Sequence, residues 1–273
     1  MKRSMKLCVA GGGKMAEALV GGLLATGWAQ PDEIGVIEVI PERRSYLAEM
    51  FPGVHLAESC QGACASAVFD VSDVLIAVKP QHVAQVASEL GAGGATRALS
   101  IAAGVRIDAL LDGFGSDARV IRAMPNTPAL VGQGAAAIAG SATADEADLG
   151  WAIQILSAVG MVTVVDEGEL DAVTGLSGSG PAYVFLLAEA MIAAGIEQGL
   201  SPHVADALGR QTVLGAATLL AESSESPAQL RANVTSPGGT TAAAIAAMQG
   251  SELEKIVAQG IAAAVARSVE LGG

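Results

Sequence analysis

The chain has 273 residues, of which 51% are hydrophobic and 16% are charged, and its formal net charge at pH 7 is -13. This length suffices for one large domain or two modest ones. The acidic balance and the lack of a basic patch exclude nucleic acid as an expected partner. Three cysteines, Cys8, Cys60 and Cys64, without metal-ligand spacing predict neither a disulfide framework nor a metal site.

From Lys6 to about Val165, short apolar runs alternate with amphipathic stretches. The predicted strands are residues 7–10, 34–39, 74–78, 98–102, 120–123, 135–139 and 163–165, and residues 54–56 are a candidate for one more short strand. Predicted helices between them include residues 15–25, 42–50 and 144–158. Such alternation, with nearly continuous apolar strands, indicates a parallel sheet that helices cover on both faces.

The first predicted strand leads into Gly11-Gly12-Gly13 and then a helix, which is a G-x-G-x-x-A pattern in its required context. Gly11 permits the tight turn, and Gly13 lets the backbone approach a pyrophosphate. The helix begins near Lys14 and Met15, and its N-terminus offers N–H groups to phosphates. The loop therefore predicts a nicotinamide dinucleotide and an NAD(P)H-dependent reductase.

The end of the second predicted strand carries Glu38, 22 residues beyond Ala16. A carboxylate at this place accepts a hydrogen bond from the ribose 2′-hydroxyl, which favours NADH. Arg43 and Arg44 follow closely and could instead hold the 2′-phosphate of NADPH, or could form a solvated helix face. The sequence therefore leaves the choice between NADH and NADPH open.

Later strand ends carry small residues, glycine, proline or a polar side chain. Ligands of open α/β sheets bind beyond the carboxyl ends of the strands, so we expect these residues to line the cofactor cleft. They are Ala77, Val78, Lys79, Pro80, Ala102, Ala103, Gly104 and Asn126.

After Asp166 the pattern becomes purely helical, with predicted helices at residues 180–198, 202–222, 240–248 and 253–269. They are apolar around most of their circumference, and such helices are normally buried. One small helical domain cannot bury all of them, so we expect packing against a partner chain. The predicted domains are residues 1–165 and 166–273.

Two segments of the helical half, residues 175–183 and 234–241, place glycines and hydroxyl groups before a predicted helix. Each is typical of a capped interhelical turn, and each also suits an anion. Two such turns together favour a site for a small carboxylate.

Five segments occur in the order that is typical of one family: GGGKMAEA (11–18), AVKP (77–80), MPNTP (124–128), GLSGSGPAY (175–183) and VTSPGGTT (234–241). With them the chain resembles the pyrroline-5-carboxylate reductases. The resemblance implies a Rossmann-type, doubly wound, mostly parallel sheet followed by an all-α C-terminal dimerisation domain. It also implies dimers that assemble into decamers, and reduction of the cyclic imine pyrroline-5-carboxylate to L-proline with NAD(P)H.

The resemblance further implies that the imine lies between the nicotinamide and the segment VTSPGGTT (234–241). Thr241 matches the threonine whose hydroxyl faces the ring nitrogen, and we expect it to act as a hydrogen-bond partner. The implied substrate-binding residues are Ser177, Ser179, Ser236, Gly238, Gly239, Thr240 and Thr241. Glu222 and Glu225 are both candidates for a contact with the substrate nitrogen.

This chain departs from the family pattern at Lys14, where the family commonly has asparagine, and no arginine directly follows Glu38. A β-hydroxyacid dehydrogenase would share the architecture, but residues 81–254 contain no lysine that could serve such an enzyme. A dinucleotide-sensing or assembly protein is the non-enzymatic alternative. The histidines His55, His82 and His203 lie outside every motif, and we expect them at the surface.

The start of the chain is basic, but only Leu7–Ala10 precede the glycines, so the sequence predicts no secretory signal. The longest apolar stretch, residues 181–195, contains Glu189 and is too short to span a bilayer. We therefore expect no membrane partner and a cytoplasmic location.

Overall fold

The structure is a computed structural model that describes residues 5–66 and 68–272. Residues 1–4, which belong to the basic start considered for a secretory signal, lie outside this range. The chain divides into two compact units, one of Met1–Ser179 with Ala264–Gly273 and the other of Gly180–Ala263. The predicted division at residue 166 marks the end of the strands, and it stays a proposal.

The first unit contains one eight-stranded sheet in the order β3-β2-β1-β4-β5-β6-β7-β8. The strands are β1 (Leu7–Ala10), β2 (Ile34–Ile37), β3 (His55–Ala57), β4 (Asp73–Ile76), β5 (Arg97–Ser100), β6 (Arg119–Met124), β7 (Gly134–Gly140) and β8 (Gly160–Val164). Every neighbouring pair is parallel except β6 and β7. This confirms the doubly wound, mostly parallel sheet. The strand order reverses between β1 and β4, where such sheets open a crevice for ligands.

Helices cover both faces of this sheet, as predicted. The helices of the unit are α1 (Lys14–Ala25), α2 (Pro41–Met50), α3 (Cys60–Cys64), α4 (Val83–Ala92), α5 (Ile107–Phe114), α6 (Glu146–Ser157) and α7 (Leu170–Val173). Successive residues of a strand point to opposite faces. Leu7 and Val9 accordingly join a core with α1 and α6, whereas Cys8 and Ala10 join a core with α3, α4 and α5.

The second unit is helical, as predicted, and exposes much apolar surface. Its helices are α8 (Gly180–Glu197), α9 (Pro202–Glu222), α10 (Pro227–Asn233), α11 (Thr240–Gly250) and the first part of α12 (Leu253–Gly272). Large side chains such as Phe185, Leu208 and Leu214 are more than half exposed. A single chain therefore leaves these helices uncovered, which agrees with the expected packing against a partner.

The helix that contains the apolar stretch 181–195 is longer than the sequence predicted. It continues from Glu167 to Glu197, and by length and composition alone it could cross a membrane. Thr174–Gly178 do not form a turn between helices but a π-helical turn, closed by the Ser179 N–H donating to the Thr174 carbonyl at 2.8 Å. The predicted helix begins at Gly180, directly after Ser179, and the binding of an anion at this segment stays a prediction.

At the amino ends of the strands, Asp148 joins two arginines in a buried ion-pair cluster. Its Oδ1 lies 3.4 Å from Arg97 and 3.3 Å from Arg119, and its side chain is 1% exposed. Its Oδ2 accepts a hydrogen bond from the Asp145 N–H, so it also closes the N-terminal cap of α6. Although partial burial of the guanidinium opposes its charge, Asp73 and Asp148 hold the pKa of Arg97 above its ordinary value.

We expect Asp148→Ala to lower the free energy of unfolding by about 2–3 kcal/mol, because it removes the ion pairs of Asp148 with Arg97 and Arg119 and the hydrogen bond that closes the cap of α6, while Arg97 keeps its pair with Asp73. Urea unfolding measures this difference. Asp206→Ala is the control, since Asp206 pairs with Arg210 at the exposed surface of α9, where an ion pair contributes less than about 1 kcal/mol. Similar small losses in both variants would contradict the assigned role of the cluster.

Candidate active site

The loop between β1 and α1 borders a cleft of about 560 Å³ at the carboxyl ends of the strands. Gly11, Gly12 and Gly13 line one side of it, and Ala77, Val78 and Lys79 after β4 line another. The cleft thus lies at the point where the strand order reverses. The sequence-predicted residues from these two strand ends are brought together.

The glycines of this loop fit a closely bound diphosphate. Gly11 has a φ of +97°, and a Cβ at this position would lie 2.8 Å from the Ala77 carbonyl oxygen. No described atom lies within 4 Å of the position that a Gly13 Cβ would take. Gly13 is also the N-cap residue of α1 and has no side chain to cap it, so the N–H groups of the first turn are available to an anion.

Glu38 directly follows β2 and borders the cleft with 8% of its surface exposed. Its Oε2 accepts a hydrogen bond from the Gly12 N–H at 2.8 Å, and its Oε1 accepts one from the Ile40 N–H at 2.8 Å. The predicted second strand reaches residue 39, but β2 ends at Ile37 because the chain turns here to make these bonds. Glu38 therefore orders the glycine loop in addition to its predicted place at the ribose.

The two arginines after Glu38 are engaged with protein atoms. Arg43 donates from Nε to the Gly12 carbonyl at 2.6 Å and pairs with Glu17. Arg44 donates from Nη1 to the Glu38 carbonyl at 2.7 Å. Although partial burial opposes ionisation of Glu17, hydrogen bonds from Arg43 and Lys14 lower the pKa of its carboxyl below the ordinary value.

Lys14 and Met15 at the start of α1 are predicted to bind the cofactor, but they are not among the residues that border the cleft. The Lys14 side chain is 69% exposed and pairs with Glu17 at 3.2 Å. Met15 packs partly against the core beneath α1. Their backbone N–H groups are the part of each residue that belongs to the exposed helix terminus.

The far wall of the cleft comes from α3 and α4, and its residues were not found from the sequence. They are Ser59, Cys60, Gln61, His82, Gln85, Val86 and Glu89. His82 is exposed as expected, yet it borders the cleft just after Pro80, which begins a short 3-10 turn. None of these residues belongs to a motif. Only the three-dimensional structure, in which their chain segments meet at the cleft, reveals them.

Cys60 is the nucleophilic side chain of this wall, and it stays protonated at neutral pH. Burial, together with the neighbouring Glu89 carboxylate, raises the pKa of the Cys60 thiol to about 12. A protonated thiol is a weak nucleophile and a poor metal ligand. Within residues 5–66 and 68–272, no group of three or more potential metal-binding side chains occurs.

The remaining predicted cofactor residues lie at the ends of β5 and β6. Ala102 is buried, and Gly104 has a φ of +76° and lies against Leu271 near the end of α12. Asn126 accepts a hydrogen bond from the Ala135 N–H at 2.8 Å and donates to the Ser177 carbonyl at 3.0 Å. These residues do not border the cleft described above, and their contact with a cofactor stays a prediction.

The predicted serines of the first helical motif lie in and after the π-helical turn. The Ser177 hydroxyl donates to the Val173 carbonyl at 3.1 Å. Ser179 ends the turn through its N–H group. To contact the substrate, Ser177 and Ser179 would have to use hydrogen-bonding groups other than those that form these two bonds. Their contact with the substrate stays a prediction.

Within the second unit, the predicted substrate segment forms a tight turn before α11, as expected. Gly238 has a φ of +70°, and the Gly239 N–H donates to the Ser236 carbonyl at 3.0 Å. Gly239 is the N-cap residue, so Thr240 and Thr241 form the first turn of α11. Their N–H groups and hydroxyls lie together at the positive end of the helix dipole, where a carboxylate is stabilised.

Of the two glutamates that the sequence left open, Glu225 is engaged. Its Oε2 accepts a hydrogen bond from the Asn233 amide at 2.8 Å, next to the same turn. Glu222 ends α9. The choice between them for a substrate contact stays open.

Comparisons with known proteins match both halves of the chain. Residues 167–271 match the family described as pyrroline-5-carboxylate reductase dimerisation. Residues 6–104 match the family described as NADP oxidoreductase coenzyme F420-dependent. The two matches cover the helical region and the part of the sheet that contains the glycine loop.

Relatives match over nearly the whole length. The pyrroline-5-carboxylate reductase of Synechocystis sp. is 45% identical over 98% of this chain and 99% of its own. That of Pseudomonas aeruginosa is 42% identical over 97% and 96%.

Among solved structures, the pyrroline-5-carboxylate reductase of Coxiella burnetii aligns with a TM-score of 0.90 at 36% identity and covers 99% of this chain and 100% of its own. The Plasmodium falciparum pyrroline carboxylate reductase with NADP bound aligns over the full length of both chains, with a TM-score of 0.83 at 26% identity. The agreement of sequence and fold over the full length shows that the chain belongs to the pyrroline-5-carboxylate reductase family.

Proposed function

We propose that this chain reduces pyrroline-5-carboxylate to L-proline with NAD(P)H, the last step of proline biosynthesis. The observation that carries the proposal is the glycine-lined cleft at the end of β1, in a chain that matches this family along its length. NAD(P)H, when bound, supplies the hydride. The chain itself has to hold the two reactants and to stabilise charge.

The reaction needs orientation more than a strong acid. A cyclic imine is basic and can arrive protonated, and its carbon is then already electrophilic. Holding the reacting groups in contact then contributes much of the rate increase. This accounts for a predicted site that relies on backbone N–H groups and hydroxyls.

For the dinucleotide, we propose the loop Gly11–Gly13 with Lys14 and Met15 at the pyrophosphate, and Glu38 at the ribose. The N–H groups at the start of α1 support this placement, because an uncapped helix terminus attracts phosphate. The other proposed contacts are Ala77, Val78, Lys79, Pro80, Ala102, Ala103, Gly104 and Asn126.

For the substrate, we propose that its carboxylate binds at Ser236, Gly238, Gly239 and Thr240, with Ser177 and Ser179 as further contacts. Thr241 follows directly in the first turn of α11 and would present its hydroxyl to the ring nitrogen. A threonine hydroxyl is poorly matched in pKa to general acid catalysis, so we assign it hydrogen bonding to the protonated nitrogen.

The test is a reductase assay with pyrroline-5-carboxylate and each reduced nicotinamide cofactor. We expect cofactor oxidation that depends on the imine and stops when the imine is exhausted. A 2- or 3-hydroxy acid with the oxidised cofactor is the control for a dehydrogenase. Turnover of the hydroxy acid without any turnover of the imine would reject the proposal.

We also propose that a second copy of the chain covers the exposed apolar side chains of the helical unit, and that dimers assemble into decamers. The matched dimerisation family and the exposed leucines of α9 support this. A protein-covered helix at 167–197 requires no membrane partner, and the acidic chain has no expected nucleic-acid partner. We propose a cytoplasmic location.

We expect analytical ultracentrifugation to give a mass of at least twice the 27.1 kDa of one chain. Replacing Leu208 and Leu214 with glutamate should weaken the assembly, because both side chains are more than half exposed in one chain and lie on the same helix. A wild-type protein that stays monomeric at micromolar concentration would contradict the proposal.

A further inference from the structure

We propose that this chain prefers NADH to NADPH and that Glu38 is the residue that determines the preference. The inference rests on the proposed function, since it concerns the dinucleotide of the same cleft. It decides between the two cofactors that the sequence left open.

Glu38 lies where the ribose of a bound dinucleotide is expected. In a sheet of this order, the adenosine ribose lies against the end of the second strand. Glu38 directly follows β2 and borders the cleft. A 2′-phosphate on that ribose would therefore lie against the Glu38 carboxylate.

The Glu38 carboxylate is held in place by its hydrogen bonds. The N–H groups of Gly12 and Ile40 each hold one of its oxygens at 2.8 Å, and its side chain is buried. Each carboxylate oxygen can accept more than one hydrogen bond, so it retains acceptor capacity for a ribose hydroxyl. A phosphate offers no proton to share, and it would meet a fixed negative charge.

Arg43 and Arg44, the two arginines that follow Glu38, are engaged elsewhere and do not compensate the charge of its carboxylate. Arg43 is held by the Gly12 carbonyl and Glu17 and stacks 4.7 Å from the Tyr46 ring centroid. Arg44 is held by the Glu38 carbonyl and lies 3.7 Å from Glu58. Neither arginine belongs to the described residues that border the cleft. Binding a 2′-phosphate would require breaking one of these sets of contacts.

The other charges of the cleft do not replace them. The charged and titratable residues that border it are Glu38, Cys60, Lys79, His82 and Glu89. Lys79 follows β4, which pairs with β1 on the side opposite β2, and His82 follows Lys79. The basic groups therefore lie beyond the other neighbour of β1, away from the strand whose end carries Glu38.

The preference is tested by isothermal titration calorimetry of the full chain with NADH and NADPH. We expect NADH to bind at least about tenfold more tightly, because like charges placed against each other disfavour the wrong partner. The same order is expected for 5′-AMP over 2′,5′-ADP, two probes that lack the nicotinamide. Equal affinities, or tighter binding of NADPH, would overturn the preference and leave the reductase function intact. Binding of neither dinucleotide would overturn both.

Three variants separate Glu38 from the general negative charge of the chain. Glu38→Gln removes the buried charge, and Val39→Arg adds a guanidinium beside it while the hydrogen bonds of Glu38 are retained. Both are expected to improve NADPH binding by roughly tenfold relative to NADH. Glu42→Gln removes an exposed charge from the first turn of α2 and should leave the ratio of affinities unchanged. An equal shift in Glu42→Gln, or an unchanged ratio in a folded Val39→Arg variant, would overturn the role of Glu38.

Discussion

Replacing Gly13 with valine is expected to abolish measurable dinucleotide binding while the protein stays folded. Gly13 has extended backbone angles that valine readily adopts, and no described atom lies within 4 Å of the new Cβ. The side chain would instead occupy the space that the pyrophosphate needs next to the start of α1. Loss of two charge-assisted hydrogen bonds weakens binding by about 100-fold or more.

Calorimetry with NADH measures this loss, and thermal unfolding measures whether the fold is retained. Gly150→Val is the matched control, because Gly150 lies in α6 away from the cleft and also has open space around it. A Gly13→Val protein that binds NADH within about twofold of the wild type would contradict the placement of the pyrophosphate, since the lost hydrogen bonds are expected to cost far more.

Replacing Thr241 with alanine is expected to lower kcat by about 10- to 100-fold, because a hydrogen bond to a charged group contributes about 1.5–3 kcal/mol. The dissociation constant for NADH should stay nearly unchanged, since the residues of the glycine loop are untouched. Thr241→Ser should recover most of the activity because it retains the hydroxyl. Steady-state kinetics and calorimetry together test the assignment.

Thr212→Ala is the control for this variant. The Thr212 hydroxyl donates to the Leu208 carbonyl on the exposed surface of α9, so its loss should leave kcat within about twofold. If Thr241→Ala lowers dinucleotide affinity and turnover equally, Thr241 acts on the structure of the protein and not on the substrate.

Local pattern was enough to predict most of the fold. Seven of the eight strands overlap apolar runs that predict a strand, and β3 overlaps the candidate run 54–56. The central strands are recognisable because a strand that is buried on both faces is apolar along most of its length. The first motif could be recognised because its glycines, strand and helix are adjacent in the sequence. The predicted helices do not include α4 and α5, although the buried faces of these two helices complete one of the two cores.

Two features could not be read from the sequence for a physical reason. The glycines and serines of residues 175–180 are typical of a loop, yet Thr174–Gly178 form a π-helical turn shortly before α8 begins at Gly180. The contacts of Arg43 and Arg44 depend on where the glycine loop and Glu17 lie in three dimensions. The same is true of Cys60 and Glu89, whose segments meet the cleft from separate helices.

The central claim is tested most directly by following the hydride. The purified protein is incubated with pyrroline-5-carboxylate and NADH carrying deuterium at both C4 positions of the nicotinamide, and the product is analysed by mass spectrometry and NMR. We predict L-proline with one deuterium at Cδ, the carbon of the former imine, formed in equal amount to the oxidised cofactor. Cofactor oxidation without deuterated proline, or no oxidation with either NADH or NADPH, would contradict the claim.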